Sequence, residues 1–294
     1  MSSEKTITYG VVVVSFGSDR VLGSFLSSLQ HSDVTPDHVA IVENGPTLPE
    51  RTEIPAWGTT LVHLPDNPGY GAAVNAGVEA LPEGLRWVLV TNPDVTLEKA
   101  TTETLLEEAT CRDRCGAVGP ALLNIDGSVY PSARALPSIK VGMGHSLFAS
   151  LWPTNPWTRS YHGSYDSLDS REVGWLSGAC LLVNRDAFAE IGGFDSEYFM
   201  FVEDMDLGMR LGQAGWSSVY VPRSKATHTV GHKTKDHRGE MARAHHTSMK
   251  RFLKKRYPGV CWIPLRFLLN VSLTLRQILV KIVWATNKFD NNTT

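Results

Sequence analysis

Three carboxylates crowd four positions in the segment Phe199-Met200-Phe201-Val202-Glu203-Asp204-Met205-Asp206-Leu207. Acids at a helix start are favoured by the macrodipole, so capping accounts for some of this density. Aromatic, partly dry surroundings would also raise a carboxylate pKa toward the range of a general base. Further acids stand where apolar runs end: Glu43 beside Asn44, Asp66 beside Asn67, and Asp94 within Thr91-Asn92-Pro93-Asp94. Such a carboxylate can accept hydrogen bonds from a ribose or base, or hold a hard cation that binds a diphosphate. A late histidine, His228, is either a metal ligand or an ordinary histidine. The glycine-bearing turn from Asn67 to Asn75 (NPGYGAAVN) enters a helix, where backbone N–H groups can meet a phosphate. It fails as a dinucleotide fingerprint, because it follows the third strand and Val74 stands where the last glycine should be.

These groups need elements to bring them together. The run Ile7 to Ser15 is continuously apolar and β-branched, as in a strand buried on both faces of a parallel sheet. Ser18 and Asp19 offer caps for a helix through Leu29, and strands follow at His38–Glu43, Thr59–Leu64 and Trp87–Thr91, with a helix from Ala72 to Leu81 between the last two. Helices alternating with strands predict a doubly wound, mostly parallel α/β sheet with a ligand crevice at the strand carboxyl ends. The second half predicts a helix from Leu97 to Thr110, a strand Ala117–Leu123 and a hairpin at Asp126-Gly127. A long functional loop is expected between Ala135 and Ser170. Strand Ala179–Asn184, a helix from Glu203 through Arg210, a short strand Val219–Val221 and a basic helix Arg238–Arg256 complete the body.

With 294 residues, 42% hydrophobic and 20% charged, the chain has the usage of a soluble globular protein. Its four cysteines form no CxxC pair and no charged-then-apolar leader precedes the first hydrophobic run, so reduced thiols in a cytoplasmic protein are expected. The net charge of −2 conceals a dipole: ten Lys and Arg and no acid lie between Met241 and Phe289, against 18 Lys and Arg and 30 acids elsewhere. A basic end seeks nucleic acid, a lipid surface or the acidic body of the protein itself. Nucleic acid is disfavoured, because the tail alternates with aliphatic residues rather than stacking aromatics. The stretch Trp262 to Trp284 is interrupted by Arg266, Asn270, Arg276 and Lys281, so it does not read as a membrane span. On a helical wheel Arg266, Asn270, Gln277 and Lys281 share one face, and Phe267, Val271, Leu275, Ile278 and Ile282 the other. This pattern predicts a helix lying in a membrane interface, or packed on the body or on a second subunit as in a homodimer.

The order and wording of these segments resemble glycosyltransferase family 2, the inverting GT-A enzymes, over about residues 7 to 260. The resemblance is carried by VVVVSFGSDRVLGSFLSSL, IVENG, DNPGYGAAVNAGV, VTNPDVTL, WLSGACLLVNRDAFAEIGGFDSEYFMFVEDMDLGMRL and His228. Within the family the chain is similar to bacterial rhamnosyltransferases of the actinobacterial cell-wall linker type. The resemblance implies a Rossmann-like GT-A domain over 1–258, with a nucleotide-binding half to about 115 and an acceptor-binding half beyond. A basic amphipathic segment at 259–294 would associate with membrane or dimerise.

It further implies that Ser15, Phe16, Glu43, Asn44 and Asn67 line the nucleotide site, with Gly71, Asn75 and Asn92 near the donor. Asp94 takes the last place of the family's Asp-x-Asp motif and His228 is a further ligand to Mg²⁺ or Mn²⁺. Asn92 replaces the first carboxylate of that motif, which weakens the cation site. Asp204 matches the catalytic base with Glu203 beside it, and Trp175 and Gly178 border the acceptor. The implied reaction moves L-rhamnose from dTDP-L-rhamnose to a polyprenyl-diphosphate-linked N-acetylglucosamine at the inner face of the cell membrane. A family 2 transferase using a UDP- or GDP-sugar, or a silent nucleotide- or glycan-binding scaffold, is the alternative.

Overall fold

A computed structural model describes residues 8–48, 58–137, 167–229 and 238–274. The chain opens with β1 (Tyr9–Ser15), α1 (Asp19–Gln30), β2 (His38–Glu43), β3 (Gly58–His63), α2 (Tyr70–Ala80) and β4 (Trp87–Thr91). The four strands are mutually parallel in the order β3-β2-β1-β4. The strand order reverses beside β1, and in an open α/β sheet that is where the carboxyl ends leave a crevice. Every residue of β1 and β4 is buried, as their unbroken β-branched and apolar runs require.

The sheet continues through β5 (Val95–Leu97), β6 (Cys115–Leu123), β11 (Cys180–Asn184) and β12 (Ser217–His228) in the order β4-β11-β6-β12-β5. Here β11 runs antiparallel to both β4 and β6, so the sheet is mixed but mostly parallel. The hairpin expected at Asp126-Gly127 joins β6 to β7 (Val129–Tyr130), and β9 (Arg171–Val173) pairs with β12. A separate two-stranded ribbon sets β8 (Ala133–Arg134) against β10 (Trp175–Leu176). Among the described residues the helices are α3 (Thr101–Thr110), α4 (Arg185–Glu190), α5 (Glu203–Gln213) and α6 (Arg238–Arg256) besides α1 and α2, followed by a short 3₁₀ turn at Val260–Trp262 and a helix over 263–274.

Two corrections to the sequence reading concern the same corner. The stretch expected as helix from Leu97 begins instead with β5, and α3 starts at Thr101. The strand expected at Val219–Val221 spans twelve residues and reaches His228. Its far end pairs with β5, so each of the two missed pieces is the other's partner. Most of the long loop expected between Ala135 and Ser170 lies outside the described residues, as do Leu275, Gln277, Ile278, Lys281 and Ile282 of the terminal wheel.

Apolar clusters cover both faces of the sheet. One contains Tyr9, Phe25, Trp87 and Leu105, the other Val12, Val42, Val74 and Phe194. Helix α2 lies close on the strands because Gly77 carries no side chain: a Cβ there would sit 2.4 Å from Val12 Cγ1 and 2.9 Å from Val42 Cγ2. Gly77→Ala should therefore overpack the sheet and cost about 1–3 kcal/mol. Urea unfolding checks this, and a loss under about 0.5 kcal/mol, the range of an inert surface change, would contradict the contact.

Candidate active site

The carboxylate cluster begins α5 just after a strained turn. Phe201 (φ 65°) and Val202 (φ 72°) both occupy the left-handed region, which is unfavourable for a β-branched side chain. Packing holds the turn: Val202 is buried with Trp175, Tyr198, Met205, Met209 and Phe252, and Ser248 Oγ donates to the Met200 carbonyl at 2.9 Å. The three acids then meet different fates. Asp206 is fully buried and paired, with Arg210 Nε at 2.6 Å, Lys255 Nζ at 2.5 Å and the Tyr198 hydroxyl donating at 3.3 Å. It is structural, and it draws α6 onto the body. Arg251 and Lys255 of α6 also engage Asp195, so part of the basic end is neutralised by the acidic body.

Glu203 and Asp204 form no ion pair of this kind among the described residues. Asp204 accepts from its neighbour Met205 N at 2.8 Å and from Gly178 N at 3.2 Å. Gly178 is held on its other side by the Tyr70 hydroxyl, which donates to its carbonyl at 2.5 Å. Burial raises the Asp204 pKa, while these N–H groups and the positive charge of Arg134 oppose the rise. Glu203 is 7% exposed, and its Oε2 has no hydrogen-bond partner. Burial first and the neighbouring Asp204 second push its pKa up to about 8. The pair can therefore hold a proton near neutrality and accept one from a bound hydroxyl.

Both carboxylates line a cavity of about 270 Å³ whose walls include Tyr130, Arg134, Trp175 and His245. Trp175 is buried and brings an aromatic wall; a Cβ on Gly178 would stand 3.2 Å from Tyr70 Cε1. Arg134, Tyr130, His245 and Tyr70 were not singled out as site residues by sequence. Tyr70 lay inside the glycine-bearing turn, but nothing local to the others signals that the β8–β10 ribbon and α6 bring them to the carboxylates.

The expected nucleotide residues converge at the ends of β1 and β2. Ser15 is buried at the end of β1 and Phe16 is 51% exposed beyond it. Glu43 Oε1 accepts from Gly17 N at 2.9 Å, and Asn44 Nδ2 donates to Asn67 Oδ1 at 2.9 Å. Glu43 Oε2 and Asn44 Oδ1 are buried without partners, two acceptors in a crevice suited to ligand N–H or O–H groups. Asp66, by contrast, is exposed on the turn after β3. Gly71 and Asn75 face the loop after α4: a Cβ on Gly71 would lie 2.9 Å from Phe194 Cβ, and the Asn75 amide both donates to Phe194 O and accepts from Phe194 N. The structure thus gives these two a packing and stapling task.

The β5–β12 pairing opposes His228 to Val95, beside Asp94. His228 Nε2 lies 3.2 Å from Asp94 Oδ1 and 3.4 Å from Asn92 Nδ2, and its buried Nδ1 has no partner. No cluster of three His, Cys, Asp or Glu occurs among the described residues. One carboxylate, one imidazole and one amide fit a cation that completes its shell with water and phosphate oxygens, as Mg²⁺ and Mn²⁺ commonly do.

The raised Glu203 pKa has a consequence for stability. A carboxyl whose folded pKa exceeds its unfolded value contributes fully below the unfolded value of 4.5, and that contribution is lost as pH rises to about 8. Glu203→Gln should raise the melting temperature most at pH 8 to 9 and least near pH 5. A shift independent of pH would contradict the burial of an ionisable group here.

Comparison with known proteins agrees with this geometry. Residues 7–247 match the model of the glycosyltransferase like family 2. The chain is 41% identical over 281 residues, 92% of each chain, to the N-acetylglucosaminyl-diphospho-decaprenol L-rhamnosyltransferase of Mycobacterium tuberculosis. It is 37% identical over 84 residues, 29% of this chain and 32% of the relative, to the rhamnosyltransferase WbbL of Escherichia coli. Among solved structures, GalNAc-T7 with UDP, GalNAc and Mn²⁺ superposes with a TM-score of 0.55 at 13% identity, covering 76% of this chain and 43% of that one. Staphylococcus aureus TarS gives 0.51 at 13% identity, covering 84% and 39%. With the sheet order and crevice described above, these similarities show that the chain is a GT-A glycosyltransferase belonging to glycosyltransferase family 2.

Proposed function

We propose that this enzyme moves L-rhamnose from dTDP-L-rhamnose to an N-acetylglucosaminyl-diphospho-polyprenol, with inversion at the anomeric carbon and Asp204 as general base. The observation that carries the chemistry is the Asp204 carboxylate, raised by burial, aimed by the Gly178 N–H and open to a cavity. The relative at 41% identity supports the donor sugar and acceptor, and its near-complete coverage makes a silent scaffold the weaker reading. Asn92, which replaces the first carboxylate of the family motif, stands within reach of His228 at 3.4 Å.

Asp204 takes the proton of an acceptor hydroxyl as that oxygen bonds to the anomeric carbon. The bond from that carbon to the diphosphate oxygen breaks on the opposite face, so the configuration inverts. Glu203, carrying its own proton, keeps the negative charge of the pair from doubling. Glu43, Asn44 and Asn67 would hold the nucleoside, and Trp175 would present an apolar face to the acceptor sugar. Asp94 and His228, with the Asn92 amide, would hold a Mg²⁺ or Mn²⁺ ion, which supplies positive charge for the departing diphosphate. The Mn²⁺ and UDP in the GalNAc-T7 structure support such a site.

The acceptor class explains a place at the inner face of the membrane. None of the described helices is long and apolar enough to cross a bilayer. Val260, Ile263, Phe267 and Leu268 are nevertheless all at least half exposed, Phe267 at 70%, in a stretch bearing Arg266 and no acid. This suits an interfacial helix on anionic lipid.

Asp204→Asn should retain dTDP binding and lose about 10² to 10⁴ in turnover with dTDP-rhamnose and a lipid-diphosphate acceptor; near wild-type turnover would remove Asp204 from the mechanism. Thermal stabilisation should be larger with dTDP plus Mn²⁺ than with UDP or GDP. A preference for UDP or GDP would keep the enzyme class and change the donor. Truncation after Pro258 should release the protein from anionic vesicles in a sedimentation assay, and unchanged pelleting would contradict the interfacial helix.

A further inference from the structure

The base cavity presents the Asp204 carboxylate beside a protonated Glu203, and the acceptor proposed to enter it carries a diphosphate. The carboxylate and the diphosphate repel at short range, so a cation within the same walls would favour the acceptor. Arg134 and His245 are the basic side chains in the lining. The lining contains none of Ser15, Phe16, Glu43, Asn44, Asn67, Asp94 or His228; its Tyr130 packs edge-on against His228 at 6.4 Å and stands between that histidine and Arg134, so the cavity adjoins the donor crevice.

Arg134 is built into its position. The β8–β10 ribbon registers Arg134 directly against Trp175, and the guanidinium lies 5.1 Å from the Trp175 ring centroid and 5.9 Å from that of Tyr130. Its Nε donates to the Pro131 carbonyl at 2.7 Å, which fixes the plane of the fork. A stacked, pre-oriented guanidinium is the group best suited to two oxygens of a phosphate. His245 reaches the cavity from α6 with its ring 5.9 Å from that of Phe201. The same helix leads through Pro258 to the exposed apolar segment at 260–271.

We infer that Arg134, aided by His245, forms an anion subsite for the diphosphate of the acceptor, separate from the donor's diphosphate site. The inference rests on the transferase reading above and assigns to that site a specificity for acceptors bearing a sugar-linked diphosphate. Phosphate held at this wall places the sugar between Trp175 and Asp204, with the lipid chain leaving toward α6. The β8–β10 ribbon thus has a function beyond packing.

The test uses the full-length protein and two acceptors with the same short lipid chain: N-acetylglucosaminyl-diphospho-lipid and an uncharged N-acetylglucosaminyl alkyl glycoside. Wild type should strongly prefer the diphosphate. Arg134→Gln should lower kcat/KM for the diphosphate acceptor roughly 10- to 100-fold, mainly through KM, and shrink the preference by a similar factor. Arg134→Lys, which keeps the charge without the fork, should recover part of it, and His245→Gln should give a smaller loss of the same kind. Thermal stabilisation by dTDP should persist in all three. Equal losses on both acceptors, or no loss, would overturn the subsite, as would a wild type indifferent to the diphosphate. A wild type that transfers to neither acceptor would instead overturn the transferase reading and the subsite with it.

Discussion

Adjacent carboxylates at the start of α5 must be buried without being drawn into ion pairs, and this constraint organises the acceptor side of the molecule. A buried acid normally recruits a partner, as Asp206 does with Arg210 and Lys255. Glu203 and Asp204 would lose their basicity by doing the same. The left-handed pair Phe201 and Val202 turns the chain so that one acid faces the basic helix α6 and the other two face a cavity. Backbone strain of about 1–3 kcal/mol at each such residue is sustained by the buried cluster beneath it. Turn, cluster and ion pairs therefore form one device, and α6 is part of it.

The donor side follows from a different requirement, the close approach of polar strand ends. Parallel strands buried on both faces deliver Ser15, Glu43 and Thr91 to one edge, and the change in strand order opens a crevice there. Helix α2 bridges the two sides. Its Tyr70 bonds the carbonyl of Gly178, whose N–H meets Asp204, and its Asn75 staples the loop before the carboxylates. A ligand held at the turn before α2 thus contacts an element bonded to Gly178, whose N–H meets the base.

The strands β2 and β4 and the helix α6 were legible residue for residue, because uniform apolar runs and caps decide such elements locally. The carboxylates at 203 and 204, the acids at strand ends and His228 were visible through type and spacing. Strand β5 was not, since three residues ahead of a helix have no period of their own and are strand only through pairing with the end of β12. Arg134 was invisible for a similar reason: it sits in a two-residue strand whose partner lies some forty positions later. The contacts of Gly71 and Asn75 with Phe194 were not legible, because they join residues some 120 positions apart. Only the folded chain divides the basic residues between Asp195, Asp206 and the exposed terminal segment.

The central claim is that Asp204 activates the acceptor hydroxyl on the face opposite the departing diphosphate. Its most direct test is the anomeric configuration of the rhamnosyl product made from dTDP-L-rhamnose and N-acetylglucosaminyl-diphospho-lipid, read from the one-bond C–H coupling at the anomeric carbon by NMR. The account predicts a single product of configuration opposite to the donor. Retention of the donor's configuration would require a covalent or same-face route that one base at Asp204 does not provide, and would contradict it.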